Sequence, residues 1–168
     1  MSIMSKKLKF DFGISLVSPS NFCVKYNADE KLFFGAVEGF DRTKSFITVS
    51  ADFKMRVFFS RETGVFCGFE YYCNPDAVIT ESINVPCVSD GSLYIDSKHL
   101  DYYPGAENVI YNQPTAVYDK SSKCFLVKDS DDGETYYRIC ENLVVSLDLN
   151  GEMTAFYILG SNSVPFFR

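Results

Sequence analysis

Apolar and polar residues alternate along most of this chain. In KFDFGISLV, Phe10, Phe12, Ile14 and Leu16 recur at every second position, the period that places side chains on one face of a β-strand. The same alternation predicts strands at KLFFGAV, SFITV, FKMRVFF and VFCGFEYY in the first half. In the second half it predicts TAVYD, KCFLVKD, TYYRIC, LVVSLDL and EMTAFYIL. Gly, Asn, Asp and Ser divide these short runs and no long amphipathic helix interrupts them, so the pattern predicts an all-β or mostly β sandwich or partly open barrel. Asn150-Gly151 supplies the positive φ of a tight hairpin, and Gly133 in DSDDGETYY is placed to do the same at the preceding turn.

The two halves overlay. YNADEKLFF (26–34) lies over YDKSSKCFL (118–126) without a gap, pairing Tyr26 with Tyr118, Asn27 with Asp119, Lys31 with Lys123 and Phe33 with Phe125. Gly64 then matches Gly151 and Phe69 matches Phe156, across a stretch five residues shorter in the second copy, as a trimmed loop would leave it. These matches predict two copies of a four-stranded antiparallel meander, about 20–73 and 114–161, within a single domain of 1–168.

Between the copies, the connector 74–113 breaks the alternation. Pro75, Pro86 and Pro104 fall in it and Pro114 follows, and each discourages a central strand. An edge strand at SLYID and a short helix near AENVIY are the elements expected there. Residues 73 to 115 hold six acids against Lys98, net −5, whereas residues 1 to 72 are net +2 and 116 to 168 net −3. Carboxylates spread over a rigid scaffold steer a cationic partner, and tyrosines add contact area at low entropy cost. The partner-binding expectation therefore falls on Asp76, Glu81, Asp90, Tyr94, Asp96, Asp101, Tyr102, Tyr103 and Glu107.

Composition narrows the class. A chain of 168 residues that is 46% hydrophobic buries about 70% of the surface its unfolded form exposes and needs no covalent staple. Six cysteines without a signal-peptide pattern read as free thiols in a reducing cytoplasm rather than as a disulfide framework. No stretch approaches the roughly 20 apolar residues of a membrane span. A pI near 4.8 disfavours nucleic acid, since phosphate contacts need a basic stripe that Lys6, Lys7 and Lys9 are too few to form.

Reaction chemistry is not written in the sequence. His99 is the single histidine, and no nucleophile motif accompanies it. There is no CxxC for zinc, no phosphate-cradling glycine loop, and DSDDG (129–133) places its Gly one position early for a calcium loop. The expectation is a non-enzymatic chain with no catalytic residue, metal or cofactor.

The second copy resembles a family of short bacterial domains of unknown function, whose pattern runs from Tyr-Asp through an alternating strand to L-D-x-x-G and a closing apolar strand. Tyr118, Asp119, Leu147, Asp148, Gly151, Phe156, Ile158 and Leu159 carry it, over about a quarter of the chain. That resemblance implies a fold unit and no activity. As a whole, the small, acidic, motif-free chain resembles the immunity proteins that bacteria carry against their own contact-dependent or polymorphic toxins. That second resemblance implies a basic protein partner, a cognate nuclease-type toxin, blocked by occupancy. The alternative expectation is a Phe-lined β-barrel holding a small apolar ligand, or a structural subunit that pairs through a strand edge.

Overall fold

The protein is described from a computed structural model covering residues 10–13, 22–85, 88–95, 107–111 and 113–159. Fifteen strands form among these residues. The first unit comprises β2 (Phe22–Asn27), β3 (Leu32–Val37), β4 (Ser45–Ser50), β5 (Met55–Ser60) and β6 (Phe66–Tyr72). The second comprises β11 (Thr115–Asp119), β12 (Cys124–Lys128), β13 (Thr135–Cys140), β14 (Leu143–Leu147) and β15 (Met153–Ile158). Around them lie β1 (Phe10–Gly13), β7 (Ile79–Thr80), β8 (Ser89–Asp90), β9 (Ser92–Ile95) and β10 (Glu107–Tyr111).

A six-stranded sheet has the order β10-β4-β5-β6-β3-β2, and a seven-stranded sheet has the order β7-β11-β12-β15-β14-β13-β8. Within each unit the fifth strand inserts between the second and the fourth, so the unit has five strands rather than the four of a simple meander. The extra member in the first unit is β2, an edge strand with one fully buried residue, Val24.

Register agrees as well as order. Tyr26 faces Phe33 as Tyr118 faces Phe125, and Phe69 lies between Gly35 and Val57 as Phe156 lies between Val127 and Val145. Both units shift register at the same place, between Phe58 and Phe59 and between Ser146 and Leu147. Turn chemistry repeats too. Asn27 Oδ1 accepts from the N–H groups of Asp29 and Glu30, and Asp119 Oδ1 accepts from those of Ser121 and Ser122. Each loop then closes through a lysine at positive φ, Lys31 at 53° and Lys123 at 54°, and each later hairpin through a glycine, Gly64 at 73° and Gly151 at 77°.

The sheets pack face to face with no closed barrel among the described residues. Phe33, Val57, Phe59, Phe66 and Phe69 meet Phe125, Val145, Leu147, Phe156 and Ile158 in one buried cluster. Side chains occupy the space that the ligand-barrel alternative would leave for a guest. Leu93 and Ile95 of β9 join the cluster, and Ile95 N–H donates to Gly64 O at 2.9 Å, tying the β1–β9 ribbon to the β5–β6 turn.

The connector is an integral part of both sheets. The helix expected near AENVIY is instead β10, which runs parallel to β4 and pairs Asn108 with Thr48; β-branched Val109 and Ile110 suit an open sheet edge better than a helix turn. β8 lies parallel to β13 at the corresponding position, pairing Ser89 with Tyr137. SLYID supplies β9, as expected, with Asp96 outside the described residues. Gly133, expected to turn the chain through positive φ, does not. Its missing Cβ leaves room for the Tyr136 hydroxyl, which donates to Gly133 O at 3.1 Å.

The β7–β8 strap, described at residues 81–85 and 88, lies against the outer face of the seven-stranded sheet. Ile83, Val85 and Val88 pack on a second cluster of Val117, Leu126, Val144, Ala155 and Tyr157. Six strand spacings put β7 and β8 about 29 Å apart. Glu81, just beyond β7, and Asp90 in β8 therefore stand at opposite edges of one sheet.

Candidate functional site

Of the nine residues expected to bind a partner, the five that are described are spread over several elements. Asp76 is exposed in the short turn Pro75–Ala77, its N–H held by Asn74 Oδ1. Glu81 is exposed beyond β7, where its N–H donates to Tyr118 O at 3.1 Å. Asp90 is exposed in β8 at the far edge of the same sheet. Tyr94 is half-buried in β9, paired with Asp11. Asp96, Asp101, Tyr102 and Tyr103 lie outside the described residues, as do His99 and Cys87.

Glu107 is engaged within the molecule. On the outer face of the six-stranded sheet, Arg56 Nε donates to Glu107 Oε1 at 2.8 Å, and Arg42 Nη2 lies 3.9 Å from the same oxygen. Arg42 also pairs with Glu70 at 3.1 Å and lies over the Phe58 ring, 5.4 Å from its centroid. Two arginines and two glutamates on β5, β6, β10 and the β3–β4 connection thus neutralise one another over an aromatic floor. Charge paired in this way steers an incoming partner weakly.

A denser set of carboxylates lies elsewhere. The β12–β13 connection carries Asp129, Asp131, Asp132 and Glu134, and the β14–β15 turn carries Asp148 and Glu152. Backbone bonds hold the two loops together at one end of the seven-stranded sheet. Asp129 and Ser130 N–H donate to Thr154 O at 2.8 and 3.2 Å, and Glu134 N–H donates to Leu147 O at 2.7 Å. Asp148 Oδ1 is used inside its turn, accepting from Asn150 and Glu152 N–H. Lys128 pairs with Asp131 at 2.8 Å, yet Asp131, Asp132 and Glu134 all remain exposed. The available signal in the sequence was four acids among the six residues 129–134, which turn geometry alone does not require.

At the matching end of the first unit the chemistry differs. A cleft of about 570 Å³ opens between the β3–β4 connection and the β5–β6 turn, with Phe40, Lys44, Ser45, Ser60, Arg61 and Cys67 among its walls. Asp41 begins the short turn Arg42–Lys44, and its Oδ1 accepts from Thr43 Oγ1 at 2.7 Å and Thr43 N at 2.9 Å. The Thr43 hydroxyl and N–H hold the Asp41 carboxyl below its usual range, with Lys44 adding to the effect. Arg61 Nε is buried without a hydrogen-bond partner, a condition that costs about 1–3 kcal/mol.

The thiols of Cys67, Cys73, Cys124 and Cys140 are poorly suited to nucleophilic work. Burial pushes Cys73 up to about 12 and Cys124 up to about 11, the latter aided by the Asp119 charge. Burial also raises Cys67 and Cys140. A thiol needs its thiolate to attack or to ligate, and these stay protonated near neutrality. Among the described residues no three His, Cys, Asp or Glu side chains come together as a metal site, and no helix is long and apolar enough to cross a membrane. Compared with models of known protein families and with curated proteins, the chain matches none.

Proposed function

We propose that this chain is a non-enzymatic protein-binding module that captures a basic protein, in the manner of an immunity protein occluding the substrate surface of a nuclease-type toxin. The observation that carries the reading is the acidic end of the seven-stranded sheet. There Asp131, Asp132 and Glu134 stand exposed on loops that backbone hydrogen bonds fix to β14 and β15. Fixed carboxylates lose little freedom on binding and accelerate encounter with a cationic surface. Cysteines 23, 67, 73, 124 and 140 are all free, which suits work in a reducing cytoplasm.

The decisive experiment is co-expression with whatever protein is encoded immediately upstream. A stable complex that weakens steeply from low to high salt supports the proposal. Failure of the two chains to associate at low salt rejects it.

A further inference from the structure

We propose that the cleft beside Phe40 binds a small organic oxyanion, a carboxylate or phosphate group carried on an apolar body. The first support is the internal comparison that the two units provide. The β5–β6 and β14–β15 turns hold matching places and each closes onto a glycine, through Ser60 N–H to Val65 O and Gly64 N–H to Ser60 O in one and Asp148 N–H to Glu152 O and Gly151 N–H to Asp148 O in the other, the first turn being one residue longer. Continuing the strand registers then matches Ser45 with Glu134, Ser60 with Asp148 and Arg61 with Leu149. Two carboxylates in the second unit are therefore two hydroxyls in the first, and an exposed leucine becomes a guanidinium. Asp148 Oδ1 caps its own turn by accepting from Asn150 and Glu152 N–H, as Ser60 Oγ accepts from Thr63 N–H in the first unit, so the exchanges of Glu134 for Ser45 and of Leu149 for Arg61 are the ones that turn closure does not call for. Receiving an anion does.

The second support is the uncommitted state of the cations. Lys44 and Arg61 both line the cleft, and neither makes an ion pair with a described residue. The acids in the lining are Asp41 and Glu62. Asp41 is engaged by Thr43 and interacts with Lys44, which leaves Glu62 as the uncommitted carboxylate against Arg61. Arg61 Nε, buried and unpartnered, is a donor awaiting an acceptor.

Shape supplies the rest. The cleft has the volume of small-molecule sites. Phe40 and Val37 also line an adjoining hollow with Phe34 and Ala36, whose rim carries Lys25 and Glu38, so an apolar body has a path leading away from Lys44 and Arg61. Ser60 offers a hydroxyl on the same wall, whereas the Ser45 hydroxyl is donated to Asp41 O at 2.9 Å. A guanidinium meets a carboxylate or phosphate through two parallel N–H bonds, and an ammonium adds a second charge.

The test is an amide-resolved NMR titration of the whole chain with four probes: phenyl phosphate, phenylacetate, inorganic phosphate and benzyl alcohol. The two aromatic anions are expected to give saturable shifts confined to residues 37–45 and 60–67, with whichever binds more tightly identifying the group. Benzyl alcohol should bind at least tenfold more weakly. Arg61→Leu, which installs the residue found on the matching turn, should weaken the anions at least tenfold while leaving distant amides unshifted; if it does not fold, Lys44→Ala, at an exposed position, gives the same reading. No saturable shift up to about 10 mM, equal binding of benzyl alcohol, or undiminished binding in the folded variant would each overturn the site. The basic-partner complex uses the other unit's loops, so it should survive in Arg61→Leu, and the two proposals fail independently.

Discussion

Phe33 and Phe125 hold matching positions in the two units, and their rings pack against each other across the sandwich with centroids 4.5 Å apart. Phe69 and Phe156, also matched, stack at 5.5 Å. Each unit thus presents the same inner face to its counterpart, the geometry of an isologous dimer interface built into one chain. The core is self-complementary, so a change on one side should be felt as a change in the pair.

Truncating either ring should show this. Phe33→Ala or Phe125→Ala is expected to cost about 3–5 kcal/mol in urea unfolding, because each leaves a cavity at the centre of the packed faces. The double variant should cost less than the sum, with a coupling of about 0.5–1.5 kcal/mol. Strict additivity would mean that the contact carries no energy of its own.

The lysines at positive φ make a matched second prediction. Left-handed backbone costs an L-residue about 1–2 kcal/mol, and glycine escapes this at some entropic cost. Lys31→Gly and Lys123→Gly should therefore each stabilise the fold by about 0.5–1 kcal/mol. A loss of stability in either would show that the lysine side chain contributes more than its backbone strain removes.

Asp119 links the second unit to the strap. Its Oδ2 accepts from Ile83 N–H at 3.0 Å while Oδ1 serves the hairpin loop. The Ile83 N–H, then Ser121 and Ser122, hold its carboxyl well below the usual carboxylate range. A lowered folded-state pKa stabilises above the unfolded value of about 3.9, and that contribution is lost as pH falls through the folded value. Asp119→Asn, which restores the residue of the first unit, keeps an acceptor for the loop but loses the charge that Ile83 N–H faces. Wild type should exceed Asp119→Asn in stability at neutral pH, with the gap narrowing in urea melts at about pH 2.5. A gap of constant size would assign the effect to hydrogen-bond geometry without the charge.

The strands were legible in the sequence wherever alternation met burial on one face. TAVYD, KCFLVKD and LVVSLDL became β11, β12 and β14 close to the expected limits. Elsewhere the sequence carried less. β7 and β8 are two residues each, too short for a period to register, and β10 was misread because edge pairing decided its conformation. The site was harder for the same reason. Glu81 and Asp90 are neighbours in the chain, but the strap parts them across a sheet. The acids of 129–134 and 148–152 are brought together only because β15 lies between β12 and β14.

The central claim is that the acidic end of the second unit steers a basic partner into place. Its most direct test is the association rate with the basic partner that co-expression identifies, comparing wild type with Asp131→Lys/Asp132→Lys. Glu107→Gln serves as a control, because the Glu107 carboxylate is already held by Arg56. The double reversal should slow association at least tenfold at about 20 mM salt and come within about twofold of wild type at about 500 mM, while Glu107→Gln associates like wild type. Equal rates for the double reversal and wild type at both salt concentrations would contradict the claim.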